Sequence, residues 1–192
     1  MSSGPIDVGN VQTVSGYTFD EMVSKLIDSL YKNGFSGTGS KPPAKKDLVV
    51  GNIVTLSNHE WIVAHVTATE AYLTLNGIDG KSTWNNLQST CTTWSNENIA
   101  ENLKASMKVV TAGNTNGYVF VATKDQMDGG FSYFNSNSRR NLGDNYWTSS
   151  EYDSDNAWSV LLDGSINTVG VYDMWGSYGF RPSVALDLTL LE

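Results

Sequence analysis

The sequence predicts an α+β domain of small antiparallel sheets and two helices, preceded by an N-terminal arm and a helix of its own. Three observations carry this. Charged residues make up only 17% of the 192, while six Trp, nine Tyr and six Phe supply bulky core material; that balance belongs to loops and sheets more than to a helical bundle. Runs of β-branched residues of strand length recur from Leu48 onward. A single apolar stripe at helical spacing stands apart near the N-terminus.

Residues 1–16 are rich in Gly, Ser and Val, lack a sustained period and read as an extended arm. Thr18-Phe19-Asp20-Glu21 then has the form of a capping box, in which the Thr18 hydroxyl accepts from the Glu21 N–H while Glu21 reaches back. Phe19, Met22, Val23, Leu26, Ile27 and Leu30 follow at spacings of three and four, and Asn33-Gly34 supplies the stop. A helix of roughly three to four turns is too short to be stable alone in water. Its stripe therefore packs either on its own domain or on another chain. Phe35 to Asp47, with Gly37, Gly39, Pro42 and Pro43, reads as a linker. Gly34 to Lys41 has a passing likeness to a phosphate loop, but Ser40 precedes Lys41, and Pro42-Pro43 forbids the helix whose N-terminus would hold phosphate. The domain division is accordingly 1–47, for attachment or oligomerisation, and 48–192.

Leu48 to Leu56 and Glu60 to Thr67 read as a hairpin turning at Ser57-Asn58, and Ala71 to Leu75 as a third strand ended by Asn76-Gly77. Thr83 to Cys91 and Glu97 to Met107 read as helices, the second because Ile99, Leu103 and Met107 repeat every four. Gly113 to Gly117 is a turn region, Tyr118 to Ala122 a short buried strand, and Thr123 to Gly130 leads into a glycine-rich corner. Strands resume after Tyr146, with Ala157 to Leu162, a turn at Asp163-Gly164, Ser165 to Tyr172, and Gly179 to Leu188.

The net charge of -8 argues against nucleic acid as a partner, since neutralising phosphates takes a basic stripe; the Lys41 to Lys46 patch is short, broken by prolines and reads as solvated linker. No apolar run approaches the ~20 residues that span a bilayer. The polar first residues do not have the form of a signal peptide, so the expectation is a soluble chain made in a cytoplasm. With Cys91 the only cysteine, an intrachain disulfide is impossible, and the thiol is expected to be a small buried hydrophobe.

Recognisable reaction chemistry is sparse. His59 and His65 fall on one strand face by period-two alternation, with Trp61 and Val63 between them, too far apart for a zinc-protease motif; structural or surface roles are expected. Glu151, Asp153 and Asp155 alternate, but without the glycine and the closing glutamate of a calcium loop they read as a solvated acidic loop. Asp125, Asp128 and Asp144 read as turn residues, and Arg139-Arg140 as a structural pair among acids.

What remains is a segment dense in Tyr, Trp, Asp, Ser and Asn, residues suited to recognition: aromatics give contact area at low rotamer entropy and small polar residues give adaptable hydrogen bonds. Strand alternation puts Trp158, Val160 and Leu162 on one face and Ser159 and Leu161 on the other. With the Trp158 face in the core, Leu161, Val171, Tyr172, Met174 and Trp175 form an outward apolar patch rimmed by Asp153, Asp155 and Asp173, a pattern that marks a partner site.

Trp147-Thr148-Ser149-Ser150, Asn156-Ala157-Trp158 with Asp163-Gly164-Ser165-Ile166-Asn167, and Gly179-Phe180-Arg181-Pro182 resemble the C-terminal part of the C-type-lectin-fold variable proteins targeted by diversity-generating retroelements of phages and bacteria. Gly51-Asn52-Ile53-Val54 and Glu60-Trp61-Ile62-Val63 resemble the opening strands of the same domain group, so the likeness spans roughly residues 48–190. In that family a reverse transcriptase rewrites adenines at the 3′ end of the gene, and the residue mixture between Tyr152 and Tyr178 is similar to the outcome. The resemblance implies a C-type lectin fold and a non-enzymatic, hypervariable ligand-binding protein of phage or prophage, with its variable region at about 135–182.

By that resemblance Trp147, Trp158, Gly179, Phe180, Arg181 and Pro182 are scaffold. The candidate contacts are Tyr152, Asp153, Asp155, Ser159, Leu161, Asp163, Asn167, Val169, Val171, Tyr172, Asp173, Met174, Trp175, Ser177 and Tyr178. The calcium-dependent sugar signatures of animal C-type lectins are absent, and the related formylglycine-generating enzymes use a cysteine pair where this chain has one cysteine. The resemblance thus implies a protein or surface-glycan ligand on a target cell, with no catalytic residue, no metal, no cofactor, no nucleic acid and no membrane insertion. It also implies a place on a virion tip or cell surface, or secretion, after cytoplasmic synthesis, with oligomerisation through the N-terminal helix multiplying a weak contact. Two alternatives stand beside it: a cell-envelope hydrolase using carboxylates of the acidic loop, which needs two of them in one pocket, and a structural subunit of phage assembly.

Overall fold

A computed structural model of the chain describes residues 41–170 and 177–191, together with Glu21, Ser24 and Lys25. The chain divides into two units, 1–39 and 40–192. Of the first, Glu21, Ser24 and Lys25 are helical; the capping Thr18 and the apolar stripe lie outside the described residues.

The second unit is α+β, built on small, mostly antiparallel sheets with few helices. Its strands are β1 (Ile53–Leu56), β2 (His59–Val66), β3 (Glu70–Leu75), β4 (Lys81–Ser82), β5 (Met107–Lys108), β6 (Val110–Ala112), β7 (Thr115–Gly117), β8 (Val119–Val121), β9 (Tyr146–Asp153), β10 (Asn156–Val160), β11 (Ile166–Gly170), β12 (Tyr178–Gly179) and β13 (Pro182–Asp187). Its helices are α1 (Leu87–Asn98), α2 (Glu101–Lys104) and α3 (Asn137–Arg140). One sheet runs β1-β2-β3-β13-β5, with β8 also on β13; a second runs β11-β10-β9-β12-β4; β6 and β7 form a separate hairpin.

The β1–β2 hairpin turns where the sequence places it. Ser57 and Asn58 both take positive φ, 50° and 62°, the backbone that matches the twist of a two-residue hairpin. Trp61 is fully buried and its indole N–H donates to the Leu56 carbonyl across that turn at 3.0 Å. The histidines do not share a face. A bulge at Ala64, between the pairs Val63↔Leu73 and His65↔Tyr72, reverses the alternation. His59 therefore meets the Trp94 ring, while His65 stacks on Phe131 on the other side.

The two expected helices are one longer helix and a short one. A 3₁₀ turn at Trp84–Asn86 leads into α1, which runs unbroken across the expected gap because Leu87, Cys91, Trp94 and Ser95 bury one continuous stripe. Ile99, Leu103 and Met107 are all buried, but Ile99 caps α1 in extended conformation, Leu103 sits in α2 and Met107 starts β5. Their spacing reflects a shared core, not a shared helix. The expected turn at Gly113 to Gly117 is a tight hairpin whose second strand, β7, consumes Thr115 to Gly117.

Two buried clusters lie on opposite faces of the β2–β3–β13 region. One joins Trp61, Leu73, Leu87, Leu103, Trp147 and Phe180; the other joins Phe120, Met127, Phe131, Phe134, Tyr146 and Val160. The expected strand from Gly179 to Leu188 is split between the sheets: Gly179 pairs with Lys81 and Tyr146, whereas β13 begins at Pro182 and pairs with β3, β5 and β8. Phe180 and Arg181 are the crossing, both buried. A Cβ on Gly179 would lie 2.9 Å from the Asn145 carbonyl oxygen and 2.8 Å from Ile78, so close approach holds that position to glycine.

The Arg181 guanidinium spans the two sheets. Its Nε donates to the Leu75 carbonyl of β3 at 3.0 Å and its Nη1 to the Tyr146 hydroxyl of β9 at 2.9 Å. It also lies over the Phe134 and Tyr146 rings, 4.9 and 5.2 Å from their centroids. Burial lowers its pKa from the ordinary arginine value, and no carboxylate pairs with it among the described residues.

Candidate functional site: the exposed end of the β9–β10 hairpin

β9 is anchored from outside its own sheet. Ser159 pairs with Trp147 and Ala157 with Glu151, which leaves Thr148, Ser149 and Ser150 opposite Trp158 alone. The surplus backbone of this bulge bonds elsewhere. The Trp84 indole donates to the Thr148 carbonyl, the Asn114 N–H to the Ser149 carbonyl, and the Ser149 N–H to the Ala122 carbonyl. The Ser150 hydroxyl accepts from the Lys124 N–H, and the Thr148 hydroxyl donates to the Trp158 carbonyl. Three segments outside the sheet, at Trp84, Asn114 and Ala122–Lys124, thus hold the strand that carries the hairpin.

Beyond that anchor the hairpin emerges into solvent. A second irregularity leaves Tyr152 unpaired between Asp153↔Asn156 and Glu151↔Ala157, and such a bulge re-aims a side chain. Tyr152 is 58% exposed and meets the half-buried Trp158 edge to face, at 5.3 Å and 88°. The Lys124 ammonium lies 5.6 Å from the Trp158 centroid and is tied to Asp128 at 3.0 Å and Asp125 at 3.6 Å. Glu151, Asp153 and Asp155, on the same hairpin end, are exposed. Asp153 Oδ1 accepts from the Asp155 N–H and the Asn156 amide, both at 2.9 Å; the Asn156 amide first, and then that N–H, hold its carboxyl below the usual range.

The sequence-derived contacts do not form one patch. Tyr152, Asp153 and Asp155 sit at the β9–β10 turn, while Leu161 and Asp163 sit at the opposite end of β10, in its turn toward β11. Asp163 is exposed and accepts from the Ser165 N–H and hydroxyl, and that hydroxyl is the first cause of its lowered pKa. Asn167 is exposed on β11; Val169 is half-buried against the core. Ser177 is exposed, whereas Tyr178 is half-buried and stacks on Trp147 at 4.7 Å. Val171, Tyr172, Asp173, Met174 and Trp175 lie outside the described residues.

Two assignments are overturned. Ser159 is fully buried, directly opposite Trp147, and its hydroxyl donates to the Asn167 carbonyl at 3.3 Å. Trp158, expected as core scaffold, is half-exposed, and Leu162, off the end of β10, is 62% exposed while Leu161 is half-buried. The reason is that both faces of β10 are covered at its Val160 end, one by Trp147 and the other by Tyr146, so alternation does not separate inside from outside. Sequence reasoning also missed Lys124, which reaches Trp158 from a distant segment with no local signal.

Arg140 is buried and donates to the Gly164, Met127 and Phe134 carbonyls, with Asp128 3.9 Å away; Arg139 lies over the Tyr133 ring. Burial pushes the Cys91 thiol up to about 12. No three His, Cys, Asp or Glu side chains converge among the described residues. A shallow cleft of about 280 Å³ lies between the Asp79–Lys81 segment and α1. Its acids are Asp79, held by the Trp94 indole at 2.7 Å, and Glu97. Asp153 and Asp155, of the acidic loop offered for a hydrolase, sit on the exposed turn instead.

No protein-family model matches the chain, and no curated protein matches it. Among the described residues no helix is long and apolar enough to cross a membrane.

Proposed function

We propose that the second unit is a C-type-lectin-like, non-enzymatic binding domain, a phage or prophage variable protein that displays a diversified surface to a host-cell or protein receptor. One observation carries this: the β9–β10 hairpin joins a fully buried base to a solvent-exposed end. Trp147, Phe180 and Arg181 are buried, and the Thr148–Ser150 backbone is tied to other segments. Tyr152, Asp153 and Asp155 project from the same hairpin, and Asn167 from the next strand, without taking part in the core. A surface placed in this way tolerates replacement, because substitutions away from buried or specially shaped positions change stability little, within about 0.5 kcal/mol.

The gene locus is the direct test. Diversification requires a near-repeat of the 3′ end that differs at adenines, beside a reverse-transcriptase gene; a locus with neither refutes it. The protein-level counterpart compares Asn167→Tyr with Ser159→Tyr on neighbouring, paired positions. Asn167→Tyr is expected to leave the urea midpoint unchanged, whereas Ser159→Tyr overfills the site against Trp147 and lowers stability by about 3 kcal/mol or more. Equal loss in both variants would mean that the exposed set is structural.

A further inference from the structure

We infer that the Tyr152–Trp158 pair is the docking point for a cationic side chain, a guanidinium above all, on a basic protein partner. This rests on the hairpin's being the ligand-facing surface and names the chemistry that it takes. A tyrosine 58% exposed and bulged out of its strand presents ring surface to solvent, and its edge-to-face contact with Trp158 fixes its direction. Aromatic faces attract cations through the ring quadrupole, Arg most often among protein groups. The site already shows this affinity within the chain, since the Lys124 ammonium rests 5.6 Å from the Trp158 centroid.

Charge selects the same partner. Lys124 is neutralised by Asp125 and Asp128, so the positive charge beneath Trp158 does not repel an incoming cation. Glu151 and Asp153 flank Tyr152 in the chain, Asp155 lies in the same turn, and all three are exposed and form no ion pair among the described residues. Asp153 is also held in place: Oδ1 is occupied by the two hydrogen bonds within the turn, and Oδ2 remains to accept from a guanidinium. An oriented carboxylate next in sequence to an exposed ring, on the same hairpin end, suits the flat, forked donor set of arginine. The chain's net charge of -8 steers a basic partner toward it from a distance.

The test is a nitrogen-15 NMR titration of the full chain with a hexa-arginine peptide, with hexa-citrulline as the neutral isostere and N-acetylglucosamine as the glycan arm. The Trp158 indole signal is assigned through Trp158→Phe. Arginine is expected to shift that signal and the amides of 151–156, with citrulline several-fold weaker. Raising salt from about 0.05 to about 0.5 M, which shortens the screening length about threefold, should weaken the response. Tyr152→Ala should abolish it while leaving the urea midpoint unchanged, and Asp153→Asn should reduce it. Equal shifts from arginine and citrulline, or arginine shifts spread over the whole surface and indifferent to Tyr152→Ala, overturn the inference. A local response to N-acetylglucosamine in place of arginine also overturns it but leaves the ligand-surface function standing, whereas failure of the locus and tolerance tests removes that function itself.

Discussion

Gly113→Ala probes the anchored base of the β9–β10 hairpin. Gly113 has a φ of +54°, and a Cβ built there would lie 1.9 Å from the Ser149 carbonyl oxygen and 2.5 Å from its carbon. An L residue in the left-handed region costs about 1–2 kcal/mol. The overlap is with backbone, which no rotamer change relieves, and overpacking of this kind costs about 1–3 kcal/mol. Relief requires the 112–114 turn to withdraw, which breaks the Asn114 N–H bond to the Ser149 carbonyl, worth about 0.5–1.5 kcal/mol. Together these amount to about 4 kcal/mol, a large share of a total stability of about 5–15 kcal/mol. With a urea slope of about 2 kcal/mol per molar, the midpoint falls by about 2 M. Gly143→Ala is the control: its φ is +73°, but nothing lies within 4 Å of the added Cβ, so only the conformational cost of about 1–2 kcal/mol remains. Urea unfolding followed by far-ultraviolet circular dichroism measures both. If the two variants unfold at the same midpoint, the anchoring of β9 through Ser149 is refuted.

Three further outcomes follow from the environment of single groups. The Cys91 thiol, buried and pushed up to about 12, should ignore a disulfide reagent at neutral pH in the folded chain and react fully in urea; prompt native reaction would contradict its burial. The Tyr72 phenol is pushed up to about 12 from 10.0, by burial first and then by the Glu70 carboxylate that accepts from it. Its neutral form is the one favoured by folding, so its contribution is intact below pH 10 and is lost as pH rises toward 12. Tyr72→Phe should delete one late-titrating phenol from the phenolate absorbance curve; deletion of an ordinary one would refute the assignment. Glu70 has the opposite sign. The Tyr72 hydroxyl, then Lys108, lower its pKa from 4.5, so its contribution is present above that pH and disappears as pH falls through the lower folded value. Glu70→Gln should flatten that acid limb in pH-dependent urea midpoints.

Legibility in the sequence followed the range of the interactions involved. The Leu56–His59 turn was legible because Ser57-Asn58 can take positive φ locally. The α1 boundary was not, because Cys91 and Trp94 complete an apolar stripe among polar neighbours that a regular spacing of Ile99, Leu103 and Met107 outweighed. The bulges at Ala64 and at Thr148–Ser150 depend on partner strands and reverse facing without any mark in the chain. The Ala64 bulge is why His59 and His65 parted, while Ser159 went inside because both faces of β10 are covered at its Val160 end.

The bridge made by Arg181 gives this protein two electrostatic regimes. Its partners are a carbonyl, a hydroxyl and two ring faces, none of which gains or loses a proton near neutrality, and a guanidinium stays charged throughout. Flooding the surroundings with salt therefore screens Glu151, Asp153 and Asp155 without loosening the joint between the sheets. Under the proposed docking, attachment through those acids is switched off and restored by salt alone, with that joint intact between encounters.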